Sequence, residues 1–452
     1  MIRQLQLTNF KSFQQATLEL GGLTLLVGTN AAGKSNLRDA VRFLHGVGRG
    51  YSLSDSIGGR FGEGGERIWG GIRGGPREIA FDGARTFTIT VSMVLNDDHP
   101  LPLEYHIEVD PGQHGQAATL VSESLRLADD HPHGYLFHCA VFRSDVPSAT
   151  AWVRKWDTND GWQSSPLPDF TLLNQQRQHA TGHELFTDDP RVHAYGYDYV
   201  ETHRPALGQL VKSLTPVVSP QIRQVTQLLM TELSSMRFFD LNPDSMRQPS
   251  FPGQLSLGDR GENLSSVLQA ICADEVRRQA MIGWLQALTP MDAVDFQFPS
   301  DPIGKIIAVL IEADGRRTTA YSASDGTLRF LAILAALLGP EPAQLYVFEE
   351  LENGIHPTRL HLLLQMIEQQ TTRHAIQVLA TTHSPQVLRL ISPQTLGSTS
   401  LVYRLSGRPD SEIRRLLDIP HVEQVLQRED VAQLHDSGWF EDAMAFAADE
   451  DA

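Results

Sequence analysis

Apolar and polar positions alternate from the start of the chain. "IRQLQL" (2–7) and "ATLEL" (16–20) carry the period of two that marks half-buried strands, and "LTLLVG" (23–28) is a short apolar run suited to a buried strand. The period then changes. In "LRDAVRFL" (37–44), Leu37, Ala40, Val41 and Leu44 fall at i, i+3, i+4 and i+7, one face of a helix. Alternation returns between 79 and about 145, in segments such as "FTITVSMVL" (87–95) and "LEYHIEV" (103–109), and predicts an antiparallel sheet. Helical spacing dominates from about 205 to 290. "SPQIRQVTQLLMTEL" (219–233) has Ser219 as N-cap, Pro220 at the first helical position, and Ile222, Val225 and Leu229 on one face. "ENLSSVLQAI" (262–271) opens a further helix. The last third reads as a hairpin about Asp314-Gly315, a helix (327–338), a strand (345–348), a helix from Pro357 to about 370, and a strand (376–380). Leu360, Leu363, Leu364 and Ile367 give the helix at 357 an apolar face. There is no internal repeat and no long heptad seam.

Composition narrows the classes. A chain of 452 residues suggests two or three domains, or one core with a large insertion, and 41% apolar residues suffice for an ordinary core. No apolar run approaches the ~20 residues of a membrane span. The N-terminus lacks a secretory apolar region, so no membrane association and a cytoplasmic location are expected. Cys139 and Cys272 are the only cysteines, which excludes a disulfide framework and a multi-cysteine zinc site. A net charge of −17 argues against a surface that binds nucleic acid everywhere, though not against a local basic groove. Only five residues are lysine, so Lys34 is conspicuous. Residues 46–75 hold twelve glycines, with Arg49, Arg60, Arg67 and Arg73 among them, and read either as a mobile loop or as a phosphate- or substrate-contacting one. The acidic tail 441–452 reads as a solvated end.

The chemistry concentrates in four short stretches. "GTNAAGKS" (28–35) fits G-x-x-x-x-G-K-[ST] between a strand and a helix, where backbone N–H groups and the helix N-terminus face phosphates. Gly28 and Gly33 permit the tight turn, Lys34 is expected to reach the β- and γ-phosphates of ATP, and Ser35 to bind Mg²⁺. Asn30 and Asn36 join them as candidate nucleotide contacts. "LYVFEELENGIHP" (345–357) ends an apolar strand in two glutamates, whose mutual repulsion a nearby metal ion would relieve. Glu349 is the candidate Mg²⁺ support, and Glu350 the catalytic base that polarises the attacking water. "TTHSP" (381–385) places His383 after a strand, where it can hydrogen-bond the γ-phosphate or that water. In "SASDGTLRF" (322–330), Ser324, Asp325 and Gly326 open a helix whose N-terminus suits an anion. The local loop already serves the local phosphates, so this second site suits a γ-phosphate held by another subunit. The run "HPHGYLFHC" (131–139) offers His131, His133, His138 and Cys139 without a paired metal motif, and reads as ordinary strand and loop.

In this order the four stretches resemble the ABC-type ATPase heads of SMC, RecF and OLD (overcoming-lysogenization-defect) proteins. "SDGTLRFLAILAALL" looks like a divergent ABC signature, "EELENGIHP" like a Walker B and D-loop run, and "TTHSP" like the switch-histidine loop. "LTNFKSF" (7–13) looks like the opening strand of the group, in which residues near Lys11 and Ser12 lie close to the nucleotide. The closest resemblance is to stand-alone bacterial ATPases of the AAA-fifteen and AAA-twenty-one type, which share "GENLSSVL" (261–268) and the flavour of "VAQLHDSGWF" (431–440). Two departures stand out: Leu351 replaces the Pro usual after the paired glutamates, and Gly261-Glu262 replaces Asp-Gly before Asn263. No glutamine in 113–178 is marked as the Q-loop residue.

The motifs imply an α/β fold, a P-loop NTPase of ABC-type head architecture: a mixed sheet, a flanking antiparallel β-subdomain and a helical insertion. The expected division is 1–150 for the N-terminal part of the head, 151–300 for a largely helical lobe, and 301–452 for the C-terminal part. The resemblance implies ATP sandwiched between two heads of a homodimer or higher oligomer, and hydrolysis that resets the assembly. About 70 residues follow His383, fewer than the Toprim nuclease of OLD proteins needs. A motor or sensor acting on double-stranded DNA, in anti-phage defence or repair, with a nuclease or toxin effector on another chain, is the first expectation. A nucleotide-gated scaffold that holds or releases such an effector is the second, and a transporter subunit is disfavoured by the large insertion.

Overall fold

The alternation in the N-terminal half is realised as one antiparallel sheet of eight strands. In spatial order they are Tyr195–Glu201, Ser148–Arg154, Tyr135–Ala140, Thr119–Leu127, Leu101–Asp110, Phe87–Leu95, Ile2–Phe10 and Phe13–Glu19. Along Phe87–Leu95 every second residue is buried, and Ile89 faces Ile107 of the neighbouring strand. The computed structural model describes all residues except 96–99, 113–114, 129–134, 141–147, 155–194, 215–217, 289–291, 427 and 451–452. The span 151–300 thus carries strands as well as helices, and 155–194 of it lies outside the described residues, as do His131, His133 and most of the Q-loop candidates.

The sheet belongs to a unit made of Met1–Leu20, Ala31–Ser235 and Tyr403–Ile413. Its other main element is the helix Lys34–Gly48, whose Phe43 meets Phe87 edge to face at 5.3 Å, with Phe10 against the same ring at 5.5 Å. On that helix packs Pro220–Ser234, and on the latter packs Ala206–Lys212. Pro220–Ser234 begins as its sequence predicts, with Ser219 Oγ accepting the Ile222 N–H at 3.3 Å. The glycine-rich segment contains the helix Leu53–Gly58 and a short hairpin, Arg60–Phe61 with Arg67–Trp69. Trp69 is buried there between the Arg42 guanidinium, 4.9 Å from its ring centre, and the stacked His45 ring.

The second unit comprises Gly21–Asn30, Met236–Val402 and Arg414–Ala452. Its sheet runs, in spatial order, Arg237–Phe239, Leu345–Phe348, Gln377–Thr381, Leu23–Val27 and Thr399–Tyr403, with Glu412–Arg415 next. The first five pair in parallel. Parallel neighbours need crossovers and covered faces, which explains why these strands read as continuous apolar runs rather than alternating ones. Pro357–His374 supplies the crossover between Leu345–Phe348 and Gln377–Thr381, and Leu360, Leu363, Leu364 and Ile367 are buried as its spacing predicts. The core also takes in Asp325–Leu338 and Leu264–Cys272.

The "NLSS" stretch, to which its sequence assigns no role, is a clamp. Asn263 Oδ1 accepts the Gly258 N–H at 2.8 Å, and its Nδ2 donates to Gln254 Oε1 at 2.7 Å and the Ser256 carbonyl at 2.9 Å. Ser265 and Ser266 accept the N–H groups of Ala308 (2.9 Å) and Gln254 (3.0 Å). The stretch therefore satisfies the backbone of two flanking loops. Among the described residues no helix is long and apolar enough to cross a membrane.

Candidate functional site

Three candidate stretches leave one edge of the parallel sheet. Gly28 follows Leu23–Val27, Glu349 and Glu350 follow Leu345–Phe348, and Thr382 and His383 follow Gln377–Thr381. Gln377–Thr381 lies between the other two strands, with Thr381 beside Leu26 and Ala380 beside Phe348. Two strand spacings are about 10 Å, so these stretches start within the span of a bound triphosphate. The carboxyl ends of parallel strands are where open α/β sheets bind ligands.

Gly28 has φ 142°, and a Cβ there would land on the Val402 carbonyl oxygen, so no other residue fits without displacing that strand. The loop then turns into the helix Lys34–Gly48, with Gly33 as its N-cap residue at φ 114° and no side-chain cap. Glycine has no side chain with which to cap the helix, and a helix N-terminus is where an anion is favoured. Lys34 is buried, Ser35 is half-buried, and Asn30 is exposed. Asn36 points back to the opening hairpin, its Nδ2 donating to Ser12 Oγ at 2.8 Å.

Lys11 occupies the turn between the first two strands, with φ 52°. Its ammonium is buried against the Asp39 carboxylate at 2.8 Å and donates to the Arg73 carbonyl at 2.7 Å. Arg73 also pairs with Asp39, at 3.2 Å, and reaches the Ser35 carbonyl. Lys11 thus ties the opening hairpin to the helix that Lys34 begins. Asp39 carries no sequence mark of this task beyond being a charge on the buried face of an amphipathic helix.

At the strand end, Glu349 is half-buried and its N–H donates to the Phe239 carbonyl at 3.2 Å. Glu350 is exposed and has φ 50°, a left-handed conformation that costs a non-glycine residue of order 1–3 kcal/mol. The neighbouring strand holds it there. The Glu350 N–H donates to Thr381 Oγ1 at 2.9 Å, and the buried Leu351 donates to the Thr381 carbonyl at 3.2 Å. Asn353 Nδ2 donates to Glu350 Oε2 at 3.1 Å, which orients the carboxylate. The conformation persists because these hydrogen bonds over-determine it.

The same turn reaches the fourth stretch. Ser324 caps Asp325–Leu338, accepting the Thr327 N–H at 3.1 Å. Gly326 lies so close to the turn that a Cβ would overlap the Gly354 carbonyl oxygen. Asp325 stands in the helix's first turn, and Arg247 neutralises it: Nη2 lies 2.5 Å from Asp325 Oδ1 and 3.2 Å from the Ala323 carbonyl. The hydrogen bond that Arg247 donates to Asp325 raises the Arg247 pKa further above its already high ordinary value. The pair spans 78 residues, which hides it from local pattern.

His138 and Cys139 lie on the strand Tyr135–Ala140. Burial, then the neighbouring His106, push the His138 pKa down to about 4, so its ring is neutral. Among the described residues no group of three or more His, Cys, Asp or Glu side chains is arranged to hold a metal ion.

The parallel sheet, the 28–35 loop and the carboxylates at the end of the strand two places away define the class: this is a P-loop nucleotide-binding protein of ABC-type ATPase-head fold. Two family models match it in separate parts, one described as "AAA domain, putative AbiEii toxin, Type IV TA system" over residues 230–389 and one as "AAA domain" over 4–99. In these two parts the chain is thus similar to AAA-type ATPase domains. No curated protein matches it. Similar solved structures include an SMC head bound to the C-terminal winged-helix domain of ScpA (11% identity, TM-score 0.46, 91% of this chain and 97% of that one). Others are an SMC head from Pyrococcus furiosus with an extended coiled coil bound to the C-terminal domain of ScpA (11%, 0.47, 94% and 98%) and the SMC head domain of Thermotoga maritima (11%, 0.39, 92% and 98%).

Proposed function

We propose that the chain hydrolyses Mg²⁺-ATP and that two copies close around the nucleotide. The observation that carries this reading is the shared sheet edge, from which the 28–35 loop, the Glu349-Glu350 pair and His383 all issue. Gly28, Asn30, Gly33, Lys34, Ser35 and Asn36 bind the phosphates through N–H groups and the Lys34 ammonium, and Ser12 braces Asn36. The Ser35 hydroxyl and the Glu349 carboxylate are each oxygen donors, the hard class that Mg²⁺ takes. Bound there, Mg²⁺ supplies charge neutralisation of the phosphoryl oxygens. Glu350, held by Thr381 and Asn353, accepts a proton from the attacking water, and His383 donates to the γ-phosphate or holds that water. Ser324 and Gly326 present a helix N-terminus to the γ-phosphate of a partner copy, while Arg247 screens the Asp325 charge that would repel it. Rate then rests on positioning and charge stabilisation, with no covalent step on the protein.

Glu350→Gln tests the reading directly. It should abolish turnover, by a factor of at least ~10², and accumulate an ATP-bound dimer visible by light scattering. Wild-type turnover in this variant would refute the assignment.

For the setting, the resemblance to SMC, RecF and OLD heads supports a cytoplasmic, DNA-linked motor or sensor in defence or repair with a separate effector. The description of the family model over 230–389, which names a toxin–antitoxin system, favours the second reading, a scaffold gated by nucleotide that holds or releases a toxin. Turnover stimulated by double-stranded DNA supports the first. A co-purifying protein partner with no DNA effect supports the second.

A further inference from the structure

Glu352 stands two residues beyond the proposed base, and its two carboxylate oxygens differ. Oε1 accepts the backbone N–H of His383 at 3.0 Å. Oε2 is buried and, among the described residues, has no hydrogen-bond partner. A carboxylate oxygen withdrawn from water without a donor is costly to keep, and such an atom calls for a partner that arrives in another state of the protein. The turn that carries Glu352 is fixed at both sides, by the Leu351 N–H on the Thr381 carbonyl and by the Asn353 contact to Glu350. The backbone on both sides of Glu352 is therefore held in place, and Oε1 is anchored on the His383 N–H. A side chain that can bring a donor hangs from the very residue whose N–H already lies on Oε1, the imidazole of His383.

We propose that Glu352 is the positioning residue for His383 and holds it at two points. Oε1 fixes the loop backbone. Oε2 takes a ring N–H once nucleotide is bound, which sets the tautomer and leaves the far ring nitrogen for the γ-phosphate or the water. Turnover, rather than nucleotide affinity, depends on this grip. The proposal rests on the assignment of His383 to the hydrolytic site.

The isosteric Glu352→Gln tests it. The amide oxygen can keep the backbone hydrogen bond, but the amide nitrogen presents a donor where the ring N–H needs an acceptor. Steady-state hydrolysis of Mg²⁺-ATP by the full chain is compared for wild type, Glu352→Gln, His383→Ala and the double variant, with thermal melts confirming that each is folded. Glu352→Gln should lower kcat about tenfold with KM within about twofold, and should cost nothing further beyond about twofold in the His383→Ala background. A role in folding alone predicts a full rate for the folded Glu352→Gln. That result overturns the proposal, as does a tenfold loss that repeats on top of His383→Ala. The underlying assignment fails on a different readout: His383→Ala turning over at the wild-type rate, or a wild type that does not hydrolyse ATP, removes both together.

Discussion

Replacing Glu123 with Gln should remove a pH dependence from the stability of the unit that carries the P-loop helix. Glu123 is fully buried on the strand Thr119–Leu127. Its Oε1 accepts the Tyr105 hydroxyl at 2.8 Å and the Leu207 N–H at 3.0 Å, and Oε2 accepts the Ala206 N–H at 2.5 Å. It thereby pins the start of Ala206–Lys212, which packs on Pro220–Ser234, which in turn packs on Lys34–Gly48. Burial pushes the Glu123 pKa up to about 7 from 4.5, and the three hydrogen bonds offset only part of that rise. The folded state therefore holds this proton more tightly than the unfolded chain does. The stabilisation is fully present below about pH 4.5 and is lost as pH rises through about 7. At about 1.4 kcal/mol per pH unit the loss approaches ~3 kcal/mol. Gln cannot ionise, so the difference in unfolding free energy should move in the variant's favour by roughly that amount between pH 5 and pH 8. Urea unfolding of both proteins, followed by tryptophan fluorescence across that range, measures it. A difference that stays constant with pH refutes the reasoning.

Three further outcomes follow from the geometry. Lys34→Ala should weaken ATP binding by at least ~30-fold, about 2 kcal/mol for a lost charge-assisted contact, measured with a fluorescent nucleotide; retained tight binding counts against the P-loop assignment. Gly326→Ala should leave ATP affinity within about twofold, as the loop 28–35 is untouched, yet prevent the ATP-dependent dimer, because its Cβ displaces the Gly354 carbonyl; a dimer of wild-type strength by light scattering would argue otherwise. Leu351→Pro, which installs the residue usual in similar ATPases, should destabilise this chain by about 1–3 kcal/mol, since it removes the Leu351 N–H bond to Thr381 and a buried side chain. An unchanged melting temperature would mean that this bond contributes nothing.

That last position shows where the sequence stops being readable. The 28–35 loop was legible because its residue types, spacing and flanks are contiguous. The start of Pro220–Ser234 was legible because Ser219 and Pro220 act on their own helix, and the same holds for Ser324 before Asp325–Leu338. Two pairings of charges escaped because their members lie far apart in the chain, Lys11 with Asp39 and Arg247 with Asp325. The remainder escaped for a different reason. Glu123 serves the N–H groups of Ala206 and Leu207, Glu352 that of His383, Asn263 that of Gly258, and Thr381 those of Glu350 and Leu351. In each case the partner is a backbone group that every residue but proline carries, so no side chain at the other end marks the contact. A carboxylate or amide that satisfies a distant main chain is written in the sequence only as one polar letter in an apolar setting. Proline is the one substitution that would betray it, which is why Leu351, standing where similar proteins have proline, is informative about how this chain holds Glu350.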